Sequence, residues 1–316
     1  MRAVILPSLA IAERPDPVPG PGEIAVRVRA AGLNRADLIQ RAGKYPAPPG
    51  WPTDIPGLEY AGEVTAVGTD VSYWAVGDRV MGLVGGGGQA EMVVVRQEEA
   101  LAIPDAMPFT DAAAIPEAFL TAWDAMVRQG RARAGERVLF HAIGGGVGTA
   151  AVQLARLLGF VLIGTSRTAD KLERCRDLGM DLGINTSDAD WPTQVGGPVQ
   201  VLIDTLGADY LASNLALLDT RGRLVVLGTM TGNTATNLDL GRLLRQRLTI
   251  VGTAMRSRGA EERAELIERF TTEILPHFES GLLRPIVEQV FPMEEAEAAY
   301  ELLASNATFG KVVLAT

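Results

Sequence analysis

The sequence predicts an α/β protein in two parts, a β-rich domain followed by a doubly wound parallel sheet. Before about residue 118, short runs that alternate apolar and polar residues are separated by dense proline and glycine, which is typical of strands and turns. Beyond that point, strand and helix patterns alternate, which indicates a parallel sheet covered by helices. Within this second part, a glycine turn at residues 144–148 joins an apolar strand to an apolar helix, a pattern typical of dinucleotide-binding proteins.

The first part is predicted to be a compact, β-barrel-like domain. Residues 23–31, 60–67 and 89–95 have the pattern of strands. The apolar residues 1–12 are interrupted by Pro7 and Ser8 and are too short for a signal peptide, so they predict a first strand instead.

The second part has the alternation expected of a doubly wound sheet. The predicted strands are 138–140, 161–165, 182–184, 199–204, 223–227 and 248–254, and the predicted helices are 147–158, 169–178 and 210–218. An amphipathic helix over 260–278 and strands at 287–291 and 311–314 form a tail that is expected to rejoin the first domain. The predicted bounds are therefore 1–117 with 257–316 for the β-rich domain and 118–256 for the nucleotide-binding domain.

The glycine turn reads A-x-x-G-x-x-G from Ala142, and Ile143 replaces the first glycine of the commoner motif. Gly145 permits a pyrophosphate to approach the main chain, and Gly148 permits helix and strand to pack closely. The amino end of the following helix offers N–H groups and a positive dipole end to phosphates.

Cofactor preference is predicted from the end of the second strand, where an acidic residue binds the ribose of NAD(H). Here Ser166 and Arg167 stand in that place, followed by Lys171 on the next helix. Two cations and a hydroxyl suit a 2′-phosphate, so NADPH is favoured. The alternative is that both cations are solvated charges at a helix start.

Composition excludes several other classes. The formal net charge of −9 argues against nucleic-acid and anionic-membrane partners. No apolar run approaches the length of a membrane span. Cys175 is the one cysteine, so no disulfide within the chain and no cysteine cluster for a metal can form, and a cytoplasmic location is expected.

Several segments, in order, resemble one family. They include AGLNRADLIQRAGKYPAPPG, PGLEYAGEVTAVG, VGDRV, GGGGQAEMVVV, AAAIPEAFLTAW, MRSR, EILPHF and FGKVVL. These look like the zinc-free quinone oxidoreductase branch of the medium-chain dehydrogenase/reductase superfamily, across nearly the whole chain. The resemblance implies a GroES-like substrate domain and a Rossmann nucleotide-binding domain.

The resemblance also implies that no zinc is bound. Zinc enzymes of the superfamily carry a cysteine where this chain has Asn34 and a histidine where it has Leu58, and the imidazoles present are His141 and His277. A catalytic zinc needs three nitrogen, sulfur or carboxylate ligands, which these residues do not supply. Without a Lewis acid the acceptor must be electron-poor by its own conjugation, as quinones and α,β-unsaturated carbonyls are. His141 is interpreted as a structural residue.

The resemblance assigns the site residues. Asn34 and Tyr45 are expected to orient the substrate, since both can donate a hydrogen bond to a quinone oxygen. Tyr45 has the alternative of a surface aromatic among prolines, and Thr121 that of a helix hydroxyl bonded to its own backbone. The expected nucleotide contacts are Thr121, Gly145, Gly146, Val147, Gly148, Thr149, Ser166, Arg167, Lys171, Asp204, Gly207, Gly228, Thr229, Met230, Thr253, Ala254, Met255, Asn306, Gly310 and Lys311, the last as a phosphate contact.

The leading hypothesis is an NADPH-dependent quinone reductase. An enone or enoyl reductase on the same scaffold, an S-adenosylmethionine methyltransferase and a non-catalytic, crystallin-like NADPH-binding protein are the alternatives. The methyltransferase fits worse, because it does not explain the β-rich domain. A homodimer is expected, paired through the apolar edge strand at residues 248–254.

Overall fold

The structure is a computed structural model, and it describes residues 1–236 and 238–316. The chain divides into two compact units, Met1–Leu120 with Met255–Thr316, and Thr121–Ala254. The predicted boundaries, after residues 117 and 256, fall close to these.

The strands are numbered in chain order. They are β1 Arg2–Ile5, β2 Ala10–Glu13, β3 Glu23–Leu33, β4 Glu59–Val67, β5 Arg79–Leu83, β6 Met92–Arg96, β7 Ala100–Ala102, β8 Arg137–Phe140, β9 Val161–Ser166, β10 Leu182–Asn185, β11 Val199–Asp204, β12 Leu218–Val226, β13 Thr249–Gly252, β14 Val287–Pro292 and β15 Lys311–Ala315.

The α-helices are numbered likewise. They are α1 Arg35–Arg41, α2 Phe109–Ala112, α3 Thr121–Trp123, α4 Gly146–Leu158, α5 Ala169–Asp177, α6 Leu211–Leu217, α7 Leu240–Gln246, α8 Ala260–Glu273, α9 Pro276–Glu279 and α10 Ala296–Ala304. Short 3₁₀ turns lie at Gln97–Glu99, Trp191–Val195, Ala208–Tyr210 and Met293–Glu295, and π-helical turns at Pro116–Leu120 and Asp124–Gln129.

The unit Thr121–Ala254 contains a parallel sheet in the order β10-β9-β8-β11-β12-β13. Numbered within the unit, this is the order 3-2-1-4-5-6 of the doubly wound dinucleotide-binding fold, which confirms the predicted fold class. Leu139, Ile163 and Leu202 from three neighbouring strands are buried in its core.

The other unit is built around the long strand β3. This strand pairs antiparallel with β4, β6 and β15, and the path continues from β15 to β14 and from β4 through β5 to β7. Ile24, Val26 and Val28 alternate into a buried core with Val64 and Val80. The register of β3 sets the polar cluster described below, because it brings the ends of β4 and β15 beside Asn34.

Some predicted elements differ from the observed ones. The helix expected over residues 260–278 ends at Glu273 and resumes at Pro276, since proline has no N–H and restricts the residue before it. The single amino-terminal strand is a hairpin of β1 and β2, with Pro7 in the connection. Strand β12 begins at Leu218 rather than at residue 223, because Leu218 already pairs with Val199.

Candidate active site

The turn between β8 and α4 has a geometry that its glycines permit. A Cβ at Gly148 would lie 2.1 Å from the carbonyl oxygen of Ile143, so the predicted close packing at Gly148 is confirmed. Gly145 is the N-cap residue of α4, and a Cβ there would meet only the carbonyl oxygen of Ala142, at 3.7 Å. Space for a ligand therefore remains beside Gly145.

The amino end of α4 supplies donors. The Thr149 N–H donates to the main-chain oxygen of Gly145 at 2.8 Å, which is the first hydrogen bond of the helix. The Thr149 hydroxyl donates to the carbonyl oxygen of Gly146. The first N–H groups of a helix have no partner within the helix. In α4 these are the N–H groups of Gly146, Val147 and Gly148. These groups and the helix dipole suit an anion.

The residues after β9 carry hydroxyl and cationic groups. The Ser166 hydroxyl accepts from the Thr168 N–H at 3.2 Å, and Arg167 is exposed. The aliphatic stem of Lys171 lies on the glycine turn, since a Cβ at Gly144 would be 2.6 Å from Lys171 Cδ. The structure thus brings Lys171 and the turn together.

The loops after β11 and β12 are joined to each other. Asp204 is buried, and its carboxylate accepts from the N–H groups of Leu206 and Gly207 at 2.7 and 3.0 Å. Gly207 forms an isolated bridge with Gly232, and Gly228 donates to the main-chain oxygen of Asp204 at 3.1 Å. The Asp204 carboxylate therefore holds its own loop.

The neighbouring loop residues differ in their exposure. Thr229 donates to Asn233 Oδ1 at 2.6 Å, and Met230 is 49% exposed. After β13, the Thr253 hydroxyl donates to the buried Asp124 carboxylate at 2.9 Å, and Ala254 is exposed.

Three further predicted nucleotide contacts, Met255, Asn306 and Gly310, lie in the unit that contains the tail. Met255 is buried and, with Leu83 and Leu266, lines a small cavity within its own unit. Gly310 has φ of +87°, and a Cβ there would lie 2.3 Å from the carbonyl oxygen of Ile286. Asn306 is exposed and accepts from the Arg35 guanidinium.

Thr121 lies between two π-helical turns, a kind of irregularity that is frequent at functional sites. The residue is buried, and its Oγ1 has no hydrogen-bond partner among the described residues. The expected alternative, a bond to its own backbone, is not formed. A buried hydroxyl without a partner fits a site that a ligand completes.

In the β-rich unit, Lys311 is the centre of a buried polar cluster, which we call the Lys311 cluster: Lys311, Glu59, Asn34 and Asp37. Lys311 Nζ donates to Glu59 Oε1, Asn34 Oδ1 and the main-chain oxygen of Leu33, each at 2.6 Å. Asn34 Nδ2 donates to Glu59 Oε1 at 2.9 Å. Asp37 accepts from the N–H groups of Asn34 and Gly57 at 2.7 and 3.2 Å.

This cluster corrects two expectations. Lys311 is 4% exposed and its three donors are used within the protein, so it does not present an ammonium group to a cofactor phosphate. The Asn34 side chain likewise donates to Glu59 and accepts from Lys311, so it is not free to hold a quinone oxygen. The strand register explains both corrections. Strand β15 pairs with β3 at Val312 and Leu33, which places the neighbouring residues Lys311 and Asn34 beside each other.

Burial changes the titration of the cluster. Complete burial raises the pKa of Asp37 to about 6, although the N–H groups of Asn34 and Gly57 and the charge of Lys311 act in the opposite direction.

A Cβ at Gly32 would lie 2.3 Å from Glu59 Oε1, so glycine is needed where the Glu59 carboxylate crosses β3.

Tyr45 is held by Arg256. The guanidinium carbon of Arg256 lies 4.6 Å from the centre of the Tyr45 ring, and Nη1 donates to the Tyr45 main-chain oxygen at 3.0 Å. Arg256 also donates to Gly85 and to Gln40 Oε1. The hydroxyl of Tyr45 makes no hydrogen bond with the described residues, and burial raises its pKa. Tyr45 thus retains the donor that substrate orientation requires.

Glu117 adjoins the Lys311 cluster, and sequence reasoning gave it no role. Its N–H donates to Glu59 Oε2 at 2.8 Å, while its own partly buried carboxyl makes no hydrogen bond or ion pair with the described residues. Burial, with the nearby charge of Glu59, raises the pKa of Glu117 to about 8. A signal existed, because Glu117 is the one charged residue between Asp111 and Asp124. Arg256 had a weaker signal, its place in the segment MRSR.

His141, interpreted from the sequence as structural, and Cys175 are both buried. His141 Nδ1 and Nε2 lie 2.8 Å from Thr165 Oγ1 and Asn214 Oδ1, and burial lowers the His141 pKa. Burial raises the pKa of the Cys175 thiol to about 12. Within residues 1–236 and 238–316, no group of three or more His, Cys, Asp or Glu side chains is arranged to hold a metal. Over the same residues, no helix has the length and apolar character to cross a membrane.

Two family models match the chain. Residues 20–105 match the alcohol dehydrogenase GroES-like domain, and residues 146–272 match the zinc-binding dehydrogenase family. A GroES-like unit joined to a parallel nucleotide-binding sheet defines a medium-chain dehydrogenase/reductase, which is an oxidoreductase class.

The relatives narrow this class. A quinone oxidoreductase of Pseudomonas aeruginosa is 36% identical over 302 residues, which cover 94% of this chain and 92% of that protein. The structure of Escherichia coli quinone oxidoreductase complexed with NADPH has a TM-score of 0.90 at 29% identity, with 100% of both chains covered. CurK enoyl reductase has a TM-score of 0.85 at 28% identity, covering 99% and 96%. The chain therefore belongs to the quinone oxidoreductase branch of the medium-chain dehydrogenase/reductase superfamily.

Proposed function

We propose that this protein is an NADPH-dependent, zinc-independent reductase that transfers a hydride to a quinone. The observation that carries the proposal is the Lys311 cluster, where an ammonium group lies 2.6 Å from the carboxylate of Glu59, at the place where zinc enzymes of the superfamily hold their metal ligands. The Lys311 ammonium already occupies the Glu59 carboxylate, and the amide of Asn34 and the alkyl chain of Leu58 offer a dication no ligand of the usual kind.

The nucleotide is proposed to bind at the glycine turn. The space beside Gly145 and the amides of Gly146 to Gly148 suit a pyrophosphate, and the unpartnered hydroxyl of Thr121 suits the nicotinamide end. Ser166, Arg167 and Lys171 suit the 2′-phosphate. A relative's structure in complex with NADPH supports this choice of nucleotide.

When bound, NADPH supplies the hydride, and the protein binds and orients the reactants. Tyr45 donates a hydrogen bond to a carbonyl oxygen of the acceptor and so favours the negative charge that develops there. Arg256 fixes the ring and the main chain of Tyr45, so the direction of that hydrogen bond is set before substrate arrives.

A reductase of α,β-unsaturated aldehydes or ketones is the second candidate. The likeness to CurK enoyl reductase favours it, and the same donors suit an enone oxygen as well as a quinone oxygen. The two functions share one requirement, an acceptor that is activated by conjugation.

We further propose a cytoplasmic homodimer paired through β13. Among the described strands, β13 pairs with β12 alone, so its other edge is open. Ile250 on β13 and Leu240 and Leu244 on α7 are 38%, 65% and 78% exposed, so this part of the unit presents apolar side chains that a partner subunit would cover.

The test is NADPH oxidation by the purified protein, before and after treatment with a metal chelator. We expect turnover of 1,2-naphthoquinone and 9,10-phenanthrenequinone that survives chelation, weaker turnover with NADH, and no reduction of simple ketones. Faster turnover of 2-enals than of quinones would favour the second candidate. Zinc-dependent oxidation of a simple alcohol, or nucleotide binding without turnover of any acceptor, would overturn the proposal.

A further inference from the structure

Glu117 is the uncommitted carboxyl of the region around the Lys311 cluster. Glu59 is paired with Lys311 and Asn34, and Asp37 accepts two main-chain N–H groups. The Glu117 carboxyl makes no such contact with the described residues, although its N–H is bound to Glu59.

The surroundings of Glu117 keep a proton on it at neutral pH. Burial disfavours its charged form, and the carboxylates of Glu59 and Asp37 add to this, against the opposing charges of Lys311 and Arg256. Among the described residues, the titratable or charged groups that interact electrostatically with the Glu117 carboxyl are those of Glu59, Asp37, Lys311, Arg256 and Tyr45. Lys311 and Arg256 are each bound to other oxygens, so neither cation forms an ion pair with Glu117.

Tyr45 connects this carboxyl to the proposed acceptor site. Its hydroxyl is the substrate donor proposed above, and the charge of Glu117 is one of the causes that raise the Tyr45 pKa. Contacts place the two residues around helix α1. The Glu117 N–H donates to Glu59, which binds the α1 N-cap residue Asn34, and Arg256, which holds Tyr45, donates to Gln40 on α1. A carboxylic acid and a phenol, each with a donor that no described residue uses, therefore lie in one neighbourhood of the β-rich unit.

We propose that Glu117 is the proton donor of the reduction, an inference that rests on the proposed function. With NADPH bound as the hydride source, the acceptor would gain a hydrogen with its electron pair from nicotinamide C4, leaving NADP+ and giving a hydroquinone anion from a quinone or an enolate from an enone. The O–H bond of Glu117 then breaks and a new O–H bond forms on the oxyanion, giving hydroquinone or enol. The Glu117 carboxylate takes a proton back from water, and the enol becomes ketone in solution.

The test compares Glu117→Gln with Asp111→Asn. Asp111 is a matched control, because burial also raises its pKa and it lies six residues earlier in the same unit. With 2-cyclohexen-1-one and NADPH, we expect the wild-type kcat to be constant below about pH 8 and to fall above it as the donor loses its proton. Glu117→Gln should lower the kcat about 100-fold and abolish this fall, with unchanged affinity for NADPH.

Two further measurements separate catalysis from structure. Turnover of 1,2-naphthoquinone should fall much less, because a hydroquinone anion takes a proton readily from water. Infrared spectra should show a protonated-carboxyl C=O band at pH 7 that disappears at pH 10 and in Glu117→Gln, but that persists in Asp111→Asn. Glu117→Asp should recover part of the lost enone turnover.

The outcomes distinguish this inference from the proposed function. A Glu117→Gln variant with wild-type enone turnover, or one that is slower but keeps the fall above pH 8, would overturn the inference and leave the reductase proposal intact. The absence of a carboxyl band that depends on Glu117 would overturn it as well. A wild-type protein that reduces neither acceptor would refute the proposed function, and the inference with it.

Discussion

The glycine turn and the Lys311 cluster are both polar, and they differ in where their hydrogen bonds go. At the turn, the donors are main-chain N–H groups and a Cβ at Gly145 would meet almost nothing. In the cluster, Lys311, Asn34 and Glu59 satisfy one another within 2.9 Å. Main-chain donors without a protein partner remain available to water or to a ligand, whereas polar groups that are paired with one another hold the fold together.

Each region contains one exception to this contrast. Asp204, among the predicted nucleotide contacts, accepts from two N–H groups of its own loop, whereas the Glu117 carboxyl, beside the complete cluster, makes no hydrogen bond or ion pair with the described residues. The exceptions show that a side chain's position in a region does not decide its role, and that its partners do.

The largest expected effect is loss of the ammonium group from the Lys311 cluster. Lys311→Met leaves the carboxylate of Glu59 buried without its cation, and removal of one partner of a buried pair costs about 3–5 kcal/mol. We expect the free energy of unfolding in urea to fall by that amount. The exposed Lys44→Met should change it by less than about 0.5 kcal/mol. If Lys311→Met changed the free energy of unfolding as little as Lys44→Met does, the Lys311 cluster would not stabilise the fold.

Two alanine substitutions in the glycine turn should have opposite consequences. Gly148→Ala places a Cβ against the main chain at Ile143 and should lower the free energy of unfolding by about 1–3 kcal/mol. Gly145→Ala should leave unfolding nearly unchanged, because its Cβ enters open space, and should raise the Kd for NADPH about tenfold, or about 1.4 kcal/mol.

Urea titration and nucleotide fluorescence on both variants check this pair. Equal loss of stability in the two variants would show that the space beside Gly145 is needed by the fold rather than by a ligand. The contrast between a glycine turn whose donors are available to a ligand and a Lys311 cluster whose groups are paired with one another would then be wrong.

The sequence predicted the parallel sheet well, because each of its strands is a short apolar run whose signal is local. It predicted the packing role of Gly148 for the same reason. The role of Lys311 was wrong, because its contact with Asn34 joins residues 277 positions apart and depends on the pairing of β15 with β3. Glu117 was missed although it is the one charged residue between Asp111 and Asp124, because its raised pKa depends on burial and on the charge of Glu59, which the sequence pattern does not show.

Arg167→Ala should separate the contribution of side chains from that of the main chain in the nucleotide unit. The glycine turn is proposed to bind the pyrophosphate of NADH and NADPH alike, whereas Arg167 is proposed to contact only the 2′-phosphate. We expect the KM for NADPH to rise about tenfold, as for loss of a charged hydrogen bond, with the KM for NADH unchanged. Arg176→Ala, another exposed arginine nearby, is the control. Equal changes for both nucleotides would contradict the 2′-phosphate contact.

The smallest expected effect is at Tyr45. Tyr45→Phe removes the hydroxyl but keeps the ring, which lies 4.6 Å from the Arg256 guanidinium, so the loop should remain in place. Loss of one neutral hydrogen bond costs about 1 kcal/mol, so we expect kcat/KM for 1,2-naphthoquinone to fall about fivefold. The free energy of unfolding should not change.

Tyr73→Phe, which removes a hydroxyl from a residue that is 66% exposed, is the matched control and should leave kcat/KM unchanged. Initial rates over a range of quinone concentrations, with urea titration of both variants, measure the two quantities separately. If Tyr45→Phe instead lowered the free energy of unfolding and left kcat/KM unchanged, the Tyr45 hydroxyl would stabilise the fold, as the polar groups of the Lys311 cluster do. Tyr45 would then be a structural residue like Asn34, and of the two donors proposed among the described residues, Glu117 alone would remain.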